Sequence, residues 1–145
     1  IMRVLVQRSG NANVSVNGNI VGKIEDGLVL FVGFTDGDTE ENINYLVNKV
    51  VNLRIFPDTN GVMNCSLLDY GGSILSISQF TLYANTSKGN RPSYIAALNG
   101  KESKKLYELF NDKLSTYTKV ETGIFGEDMK VEISNIGPTT ILLER

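Results

Sequence analysis

"NVSVNGNIVGKIEDGLVLFVGF", Asn13 to Phe34, holds the pattern on which the fold turns. Asn17-Gly18 is the dipeptide that a two-residue type I′ hairpin loop requires, because both central residues need positive φ. Val14, Val16, Ile20 and Val21 flank it as the apolar members of two short strands. "LVLFVGF" then runs apolar on both faces, as a central, doubly covered strand does. A hairpin leading into a buried strand starts a sheet whose neighbours are joined by tight turns.

The rest of the chain extends that reading. "MRVLVQR" predicts a first strand. "DGDTEENINYLVNKVVNLRIF" predicts a helix, capped by Asp38 with Glu41 three residues on, and carrying an apolar stripe of Ile43, Leu46, Val47, Val50 and Leu53. "PDTNG" breaks the chain. "SILSISQFTLYA" predicts a further strand. Glu102 to Thr116 predicts a second helix with Leu106, Leu109, Phe110 and Leu114 on one face. "KVETGIF", "DMKVEISN" and "TTILLE" read as three more strands. With no repeat and no linker, the expectation is one α+β domain over residues 1–145. It consists of a mostly antiparallel, curved, barrel-like sheet with two helices packed against it.

Composition narrows the chemistry. A chain of 145 residues buries roughly 68–70% of its unfolded surface, enough for a core without staples. Cys65 is the only cysteine, so no internal disulfide framework is expected. The longest apolar run, Gly27 to Phe34, is too short to span a bilayer. "IMRVLVQRSG" has no signal-peptide pattern, Ile1 is set aside from the fold reading, and the expected compartment is the cytoplasm. There is no histidine. That removes Ser-His-Asp and Cys-His nucleophile systems and every histidine-bearing zinc site. Chemistry here has to run on hydroxyls, carboxylates, lysine, backbone groups or the substrate, and no cofactor is expected.

The net charge is −2 and the pI about 5.2, yet charge is unevenly spread. Glu25 to Glu41 contains acids and no bases, whereas Thr86 to Lys105 holds Lys88, Arg91, Lys101, Lys104 and Lys105 against Glu102 alone. The three lysines fit a solvated helix face or a phosphate-binding patch; Lys88 and Arg91 lie beside the next feature.

That feature is "SQFTL", where Ser78, Gln79 and Thr81 sit among Phe80 and Leu82. In a regular strand Ser78 and Phe80 point one way, Gln79 and Thr81 the other. They share a site only where the strand bends and frees its N–H groups, which with the hydroxyls form an oxyanion-binding pocket. The alternative is a strand whose small polar residues face a barrel interior. "NIGPTT", Asn135 to Thr140, interrupts two apolar strands with Gly137-Pro138, as an ordinary turn also does. Phe125 in "GIFGE" fits either a nucleobase platform or a core position.

Taken together and in this order, these stretches resemble the D-aminoacyl-tRNA deacylases, formerly D-tyrosyl-tRNA deacylases. The resemblance spans the chain: "VQR", "GDTEE", "NLRIF", "SQFTLYA", "KGNRPSY", "VETGIFGEDMKVE" and "NIGPTT". Ile136 stands where Asp is common and Thr139 where Val is common. "QRSGNANVSV" departs from the usual form of the first strand.

The resemblance implies hydrolysis of the ester joining a D-amino acid, or glycine, to the 3′-terminal adenosine of tRNA. It implies a homodimer with the active site at the subunit interface. There a cis Gly137-Pro138 from one subunit enters the other's site and rejects L-aminoacyl esters. Ser78, Gln79, Phe80 and Thr81 form the catalytic strand, with backbone N–H groups near Phe80 and Thr81 as oxyanion donors. Arg8 braces the Gly-Pro loop, Phe125 contacts the adenine, Met129 lines the pocket, and Asn135 belongs to the Gly-Pro signature. Thr81 is either a nucleophile or a bystander to the RNA's own 2′-hydroxyl; with no activating base in view, the second is preferred. Two other classes stay open on the residues alone: an RNA-end-binding module without turnover, and a structural dimer whose polar strand fills a barrel.

Overall fold

The Asn17-Gly18 turn takes the conformation its sequence demands. A computed structural model covering residues 1–145 gives φ of 50° at Asn17 and 82° at Gly18. The turn joins β1 (Arg3–Val16) to β2 (Asn19–Ile24), with Val16 opposite Asn19. The sequence predicts two strands before this turn, and the structure has one, 14 residues long. Small polar Ser9 to Asn11 do not break it, because a second strand pairs along its other edge and register shifts around Ser9 absorb the irregularity.

β3 (Gly27–Gly33) is buried at every position but Phe31. It is followed by α1 (Glu40–Asn52), a short ladder of β4 (Phe56–Pro57) and β5 (Met63–Cys65), and the one-turn α2 (Leu67–Tyr70). β6 (Ser73–Ser78), α3 (Gly100–Ser115), β7 (Val120–Thr122) and β8 (Lys130–Glu144) complete the chain. The last two strands predicted from sequence are one strand, β8, with the Gly-Pro pair inside it.

The sheet runs β2-β1-β3-β6-β7, with β8 on β1. All pairs made by β1 are antiparallel. β3–β6 and β6–β7 are parallel, because helix-containing crossovers, not hairpins, connect them. At the far edge the sheet curls back on itself. The Lys23 N–H donates to Glu121 Oε1 at 3.3 Å, and a Cβ at Gly22 would lie 2.6 Å from the Thr122 carbonyl oxygen. β7 therefore meets β2, and the sheet forms a nearly closed barrel.

Two apolar clusters follow from strand alternation. Val4, Val6, Leu28 and Leu30 face Ile43, Leu46 and Val50 of α1 and Phe110 and Leu114 of α3. On the other face, Ala12, Val14, Ile24, Val29, Leu75 and Ile77 form the second cluster. Leu53, Leu106 and Leu109, predicted as stripe residues, sit at the margin of the first, while Val51 and Tyr107 take the buried places. The helix cap is also displaced by one residue. Asp38 is occupied by the preceding turn, accepting from the Thr35 N–H at 2.8 Å. Thr39 is the N-cap, and its N–H donates to Asn42 Oδ1 at 2.8 Å. No helix is long and apolar enough to cross a membrane.

Candidate active site

The polar stretch after β6 is where the strand stops. β6 pairs with β3 as far as Ser78 opposite Val32, and the Gln79 N–H donates to the Val32 carbonyl at 2.7 Å. Phe80 to Tyr83 then coil into a 3-10 turn. The sequence predicts a strand continuing to Ala84; the chain turns instead because Gly33 leaves room for it. A Cβ there would meet both the Gln79 carbonyl and the Tyr83 ring at 3.0 Å.

The first bond of the turn runs from the Leu82 N–H to the Gln79 carbonyl, 3.3 Å, and the next from Ala84 to Thr81, 3.0 Å. The N–H groups of Phe80 and Thr81 precede this ladder and take no part in it, as at any helix start. Gln79 Nε2 donates to Thr81 Oγ1. Arg3 anchors the far end, donating to the Leu82 carbonyl at 2.7 Å and stacking over the Tyr83 ring.

The turn forms one wall of a cleft of about 400 Å³, within the range of small-ligand sites. Ser78, Gln79 and Phe80 line it, together with Gly33 and Phe34, Tyr94, Leu98, Gly100 and Ser103, and Phe125-Gly126. No lining residue carries a carboxylate, an amine, a guanidinium or an imidazole. The Phe80 ring is 57% exposed and meets Tyr94 edge-on at 5.0 Å. Phe125 leans on Tyr107 with centroids 5.9 Å apart, and the Tyr107 hydroxyl donates to the Ser76 carbonyl at 2.6 Å. Burial holds the Tyr107 phenol above its ordinary range. The N-terminus of α3 opens beside the cleft, capped by Asn99, whose side chain accepts from the Glu102 N–H at 3.0 Å. Its dipole adds partial positive charge there.

Arg8, Asn135, Gly137 and Pro138 form a second group. Four residues of β8, Ile136 to Thr139, bulge out opposite Arg8 alone. The Gly137-Pro138 peptide is cis, and both residues are exposed. Arg8 Nε donates to the Ile136 carbonyl at 3.2 Å while its Nη1 donates to the Ile55 carbonyl at 2.6 Å. Asn135 Oδ1 accepts from the Thr139 N–H at 2.8 Å, and its Nδ2 donates to Thr140 Oγ1 at 2.9 Å. The bulge is thus fastened at its base and bare at its tip.

Within one chain the two groups do not meet. Arg8 pairs with Leu28 and Ser78 with Val32, so they are four residues apart along β3, roughly 13 Å, and β8 lies three strand spacings from β6, roughly 14 Å across the sheet. Phe125 joins the cleft group. Met129, expected on the pocket wall, packs on the second apolar cluster instead, over Gly123. Tyr94, Tyr107 and the Asn99 cap had no assigned role from sequence. Tyr107 was legible as the residue one turn before Phe110, and Asn99-Gly100 as a helix start.

A family model described as D-Tyr-tRNA(Tyr) deacylase matches residues 5–144. The chain belongs to the D-Tyr-tRNA(Tyr) deacylase family. Among its relatives in this deacylase family is a D-aminoacyl-tRNA deacylase of Limosilactobacillus reuteri (strain DSM 20016). It is 53% identical over 145 residues, covering 99% of this chain and 100% of the relative. A protein of the same name from Thermosipho melanesiensis (strain DSM 12029 / CIP 104789 / BI429) is also 53% identical, covering 99% and 97%. A solved structure titled "c-Myc DNA Unwinding Element Binding Protein" superposes with a TM-score of 0.94 at 35% identity, covering 99% and 98%. A probable eukaryotic D-amino acid tRNA deacylase superposes at 0.84 with 19% identity, covering 98% of each, and shares the fold. The relatives are named as deacylases, enzymes that hydrolyse an ester. In this member of the deacylase family, the cleft beside Phe80 and the bulge at Gly137 are separate features of one chain.

Proposed function

We propose that the protein hydrolyses the ester between a D-amino acid, or glycine, and the 3′-terminal adenosine of tRNA. In this reading it acts in the cytoplasm as a homodimer, each cleft completed by the partner's Gly-Pro loop. The observation that carries the reading is a cleft lined by Phe80, which starts a turn whose first two N–H groups are unengaged, and by no carboxylate, amine, guanidinium or imidazole. An aminoacyl ester suits such a site. It is already labile, so holding it, stabilising its oxyanion and placing water accounts for the catalysis.

The adenine rests against Phe125, and the ester carbonyl oxygen points at the N–H groups of Phe80 and Thr81. Water adds to the carbonyl carbon, the bond to O3′ breaks, and the neighbouring 2′-hydroxyl relays the proton that O3′ takes up. Thr81 is a poor nucleophile here. No base faces its hydroxyl, and Gln79 already donates to its oxygen, which leaves the hydroxyl proton free to be given.

Support for the trans arrangement is the exposed Gly137-Pro138 tip, fastened at its base and lying away from its own cleft. Carbonyls of that tip, set against the substrate α-carbon, bind the ammonium and leave no room for an L side chain of any kind. A D side chain points elsewhere, and glycine has none to exclude. Specificity then comes from rejection.

The test is parallel hydrolysis of D-tyrosyl-, glycyl- and L-tyrosyl-tRNA by the purified protein. Release of the D-amino acid and glycine with the L-ester untouched is expected; release of all three sinks the gate, and release of none sinks the activity. The resemblance to a protein titled as binding a DNA unwinding element favours a second reading, nucleic-acid binding without turnover. The same assay separates the two, since a binder protects the ester and an enzyme consumes it.

A further inference from the structure

We infer that the Tyr94–Ile95 turn and the cations around it form a docking platform for the unpaired nucleotides that precede the terminal adenosine of the RNA. This rests on the deacylase reading and names how that site holds the rest of its substrate.

Three observations converge. The first is apolar exposure. Ile95 is 91% exposed, Phe80 57% and Tyr94 40%; Phe80 and Tyr94 line the cleft, and Ile95 directly follows Tyr94. The second is rigidity. The Ala97 N–H closes the turn onto the Tyr94 carbonyl at 3.0 Å, Leu98 is bound to the Phe34 carbonyl at 3.0 Å, and Thr35 bridges Ala97. The preceding loop is closed by reciprocal Asn85–Ser93 bonds of 2.8 and 2.9 Å. Ile95 is therefore held outward by a fixed backbone.

The third observation is charge. Lys88 and Arg91 lie on that closed loop, and Lys101, Lys104 and Lys105 on the first turns of α3 beside Gly100 and Ser103. All five are exposed, and none is ion-paired with a carboxylate. Directly after Gly126, which lines the cleft, come the exposed acids Glu127 and Asp128. Cations thus lie on the loop before Tyr94 and on the turns after Gly100, and acids directly follow Gly126. A polyanion whose last nucleoside fills the cleft leaves across Tyr94. Aromatic faces flanked by cations are what unstacked bases with their phosphates bind, with little regard to sequence.

The test compares two esters that share the reacting end: D-tyrosyl-adenosine, and D-tyrosyl-CCA trinucleotide. With the wild-type protein the trinucleotide ester is expected to have the higher kcat/KM. Its salt dependence should be steeper by about 1.4 logarithmic units per decade of salt for two added phosphates. Tyr94→Leu combined with Ile95→Ser should lower the trinucleotide-to-nucleoside ratio of kcat/KM at least about 5-fold. Lys88→Gln combined with Arg91→Gln should flatten the salt slope of the trinucleotide alone. Equal kcat/KM for both esters in the wild type, or an unchanged ratio in the variants, overturns the platform while the deacylase reading stands. Hydrolysis of neither ester overturns that reading instead. Fluorescence anisotropy with a labelled CCA trinucleotide still decides the platform in that case: weaker binding by Tyr94→Leu, Ile95→Ser upholds it, and unchanged binding overturns it.

Discussion

Phe80 occupies the first position of its turn, where the N–H has no partner within the turn and proline is well tolerated. Gln79 before it has φ of −148° and ψ of 83°, outside the α region that proline disfavours in its predecessor. Phe80→Pro therefore deletes one proposed oxyanion donor with little disturbance, and Phe80→Ala controls for the lost ring. The proline variant should fall about 10²–10³-fold below the alanine variant in kcat, and equal rates would remove that N–H from the mechanism. Thr81→Ala, by contrast, should keep kcat within about 10-fold of wild type, while a 2′-deoxy terminal adenosine should abolish most of the rate. The reverse pattern restores Thr81 as nucleophile. At this scale the sequence told much. A histidine-free chain with a polar strand end made backbone-led chemistry one of the options, beside a strand that fills a barrel. The turn itself was hidden, because Phe80 and Leu82 keep strand alternation, and the space that Gly33 provides comes from a residue far away in the chain.

Helix and strand boundaries were less legible than the elements themselves. The start of α1 moved from Asp38 to Thr39 because Asp38 serves the turn at Thr35, a competition that capping rules do not weigh. The α3 cap is simpler, and it is testable. Asn99→Ala removes the acceptor of the Glu102 N–H and should cost about 1 kcal/mol of stability, read as a shift in the urea midpoint. Because Gly100 and Ser103 line the cleft, the same variant should raise KM for the ester more than it lowers kcat. β8 was read as two strands because a proline inside a strand ordinarily ends it. Here Ile136 to Thr139 bulge away from β1, so the missing N–H of Pro138 leaves no gap in the ladder, and pairing resumes at Thr140.

The whole molecule is a sheet that closes on one side and offers a fastened bulge on the other. Curvature was readable from the hairpin and the count of short strands. The parallel pairs around β6 were not, since a crossover looks like any other helix in sequence. The trans arrangement gives a prediction at this scale. Gly137 has φ of 123°, and a Cβ there would lie 2.5 Å from Thr139 Oγ1, so Gly137→Ala deforms the tip. Mixed and allowed to exchange subunits with Phe80→Pro, it should recover about a quarter of wild-type turnover, because half the dimers then hold one intact site of two. No recovery, with exchange verified, places cleft and tip in the same chain or discards the tip. A second prediction concerns alkali. Tyr83 and Tyr107 both keep their protons above the usual phenol range, chiefly through burial. The unfolded chain releases those protons first, near pH 10, so stability is whole below about pH 10 and falls as pH rises beyond it. Urea midpoints at pH 8 and 11 should show the drop, and Tyr83→Phe with Tyr107→Phe should shrink it.

The cleft wall has one more consequence. A catalyst lined by nothing that gains or loses a proton in the physiological range has no throttle of its own. Under the proposed activity it hydrolyses whatever ester fits, continuously, among a vast excess of esters that protein synthesis needs intact. The only safeguards are the shape of the pocket and the number of copies the cell makes, so overproducing a variant with a loosened Gly137 tip should slow growth by draining correctly charged tRNA.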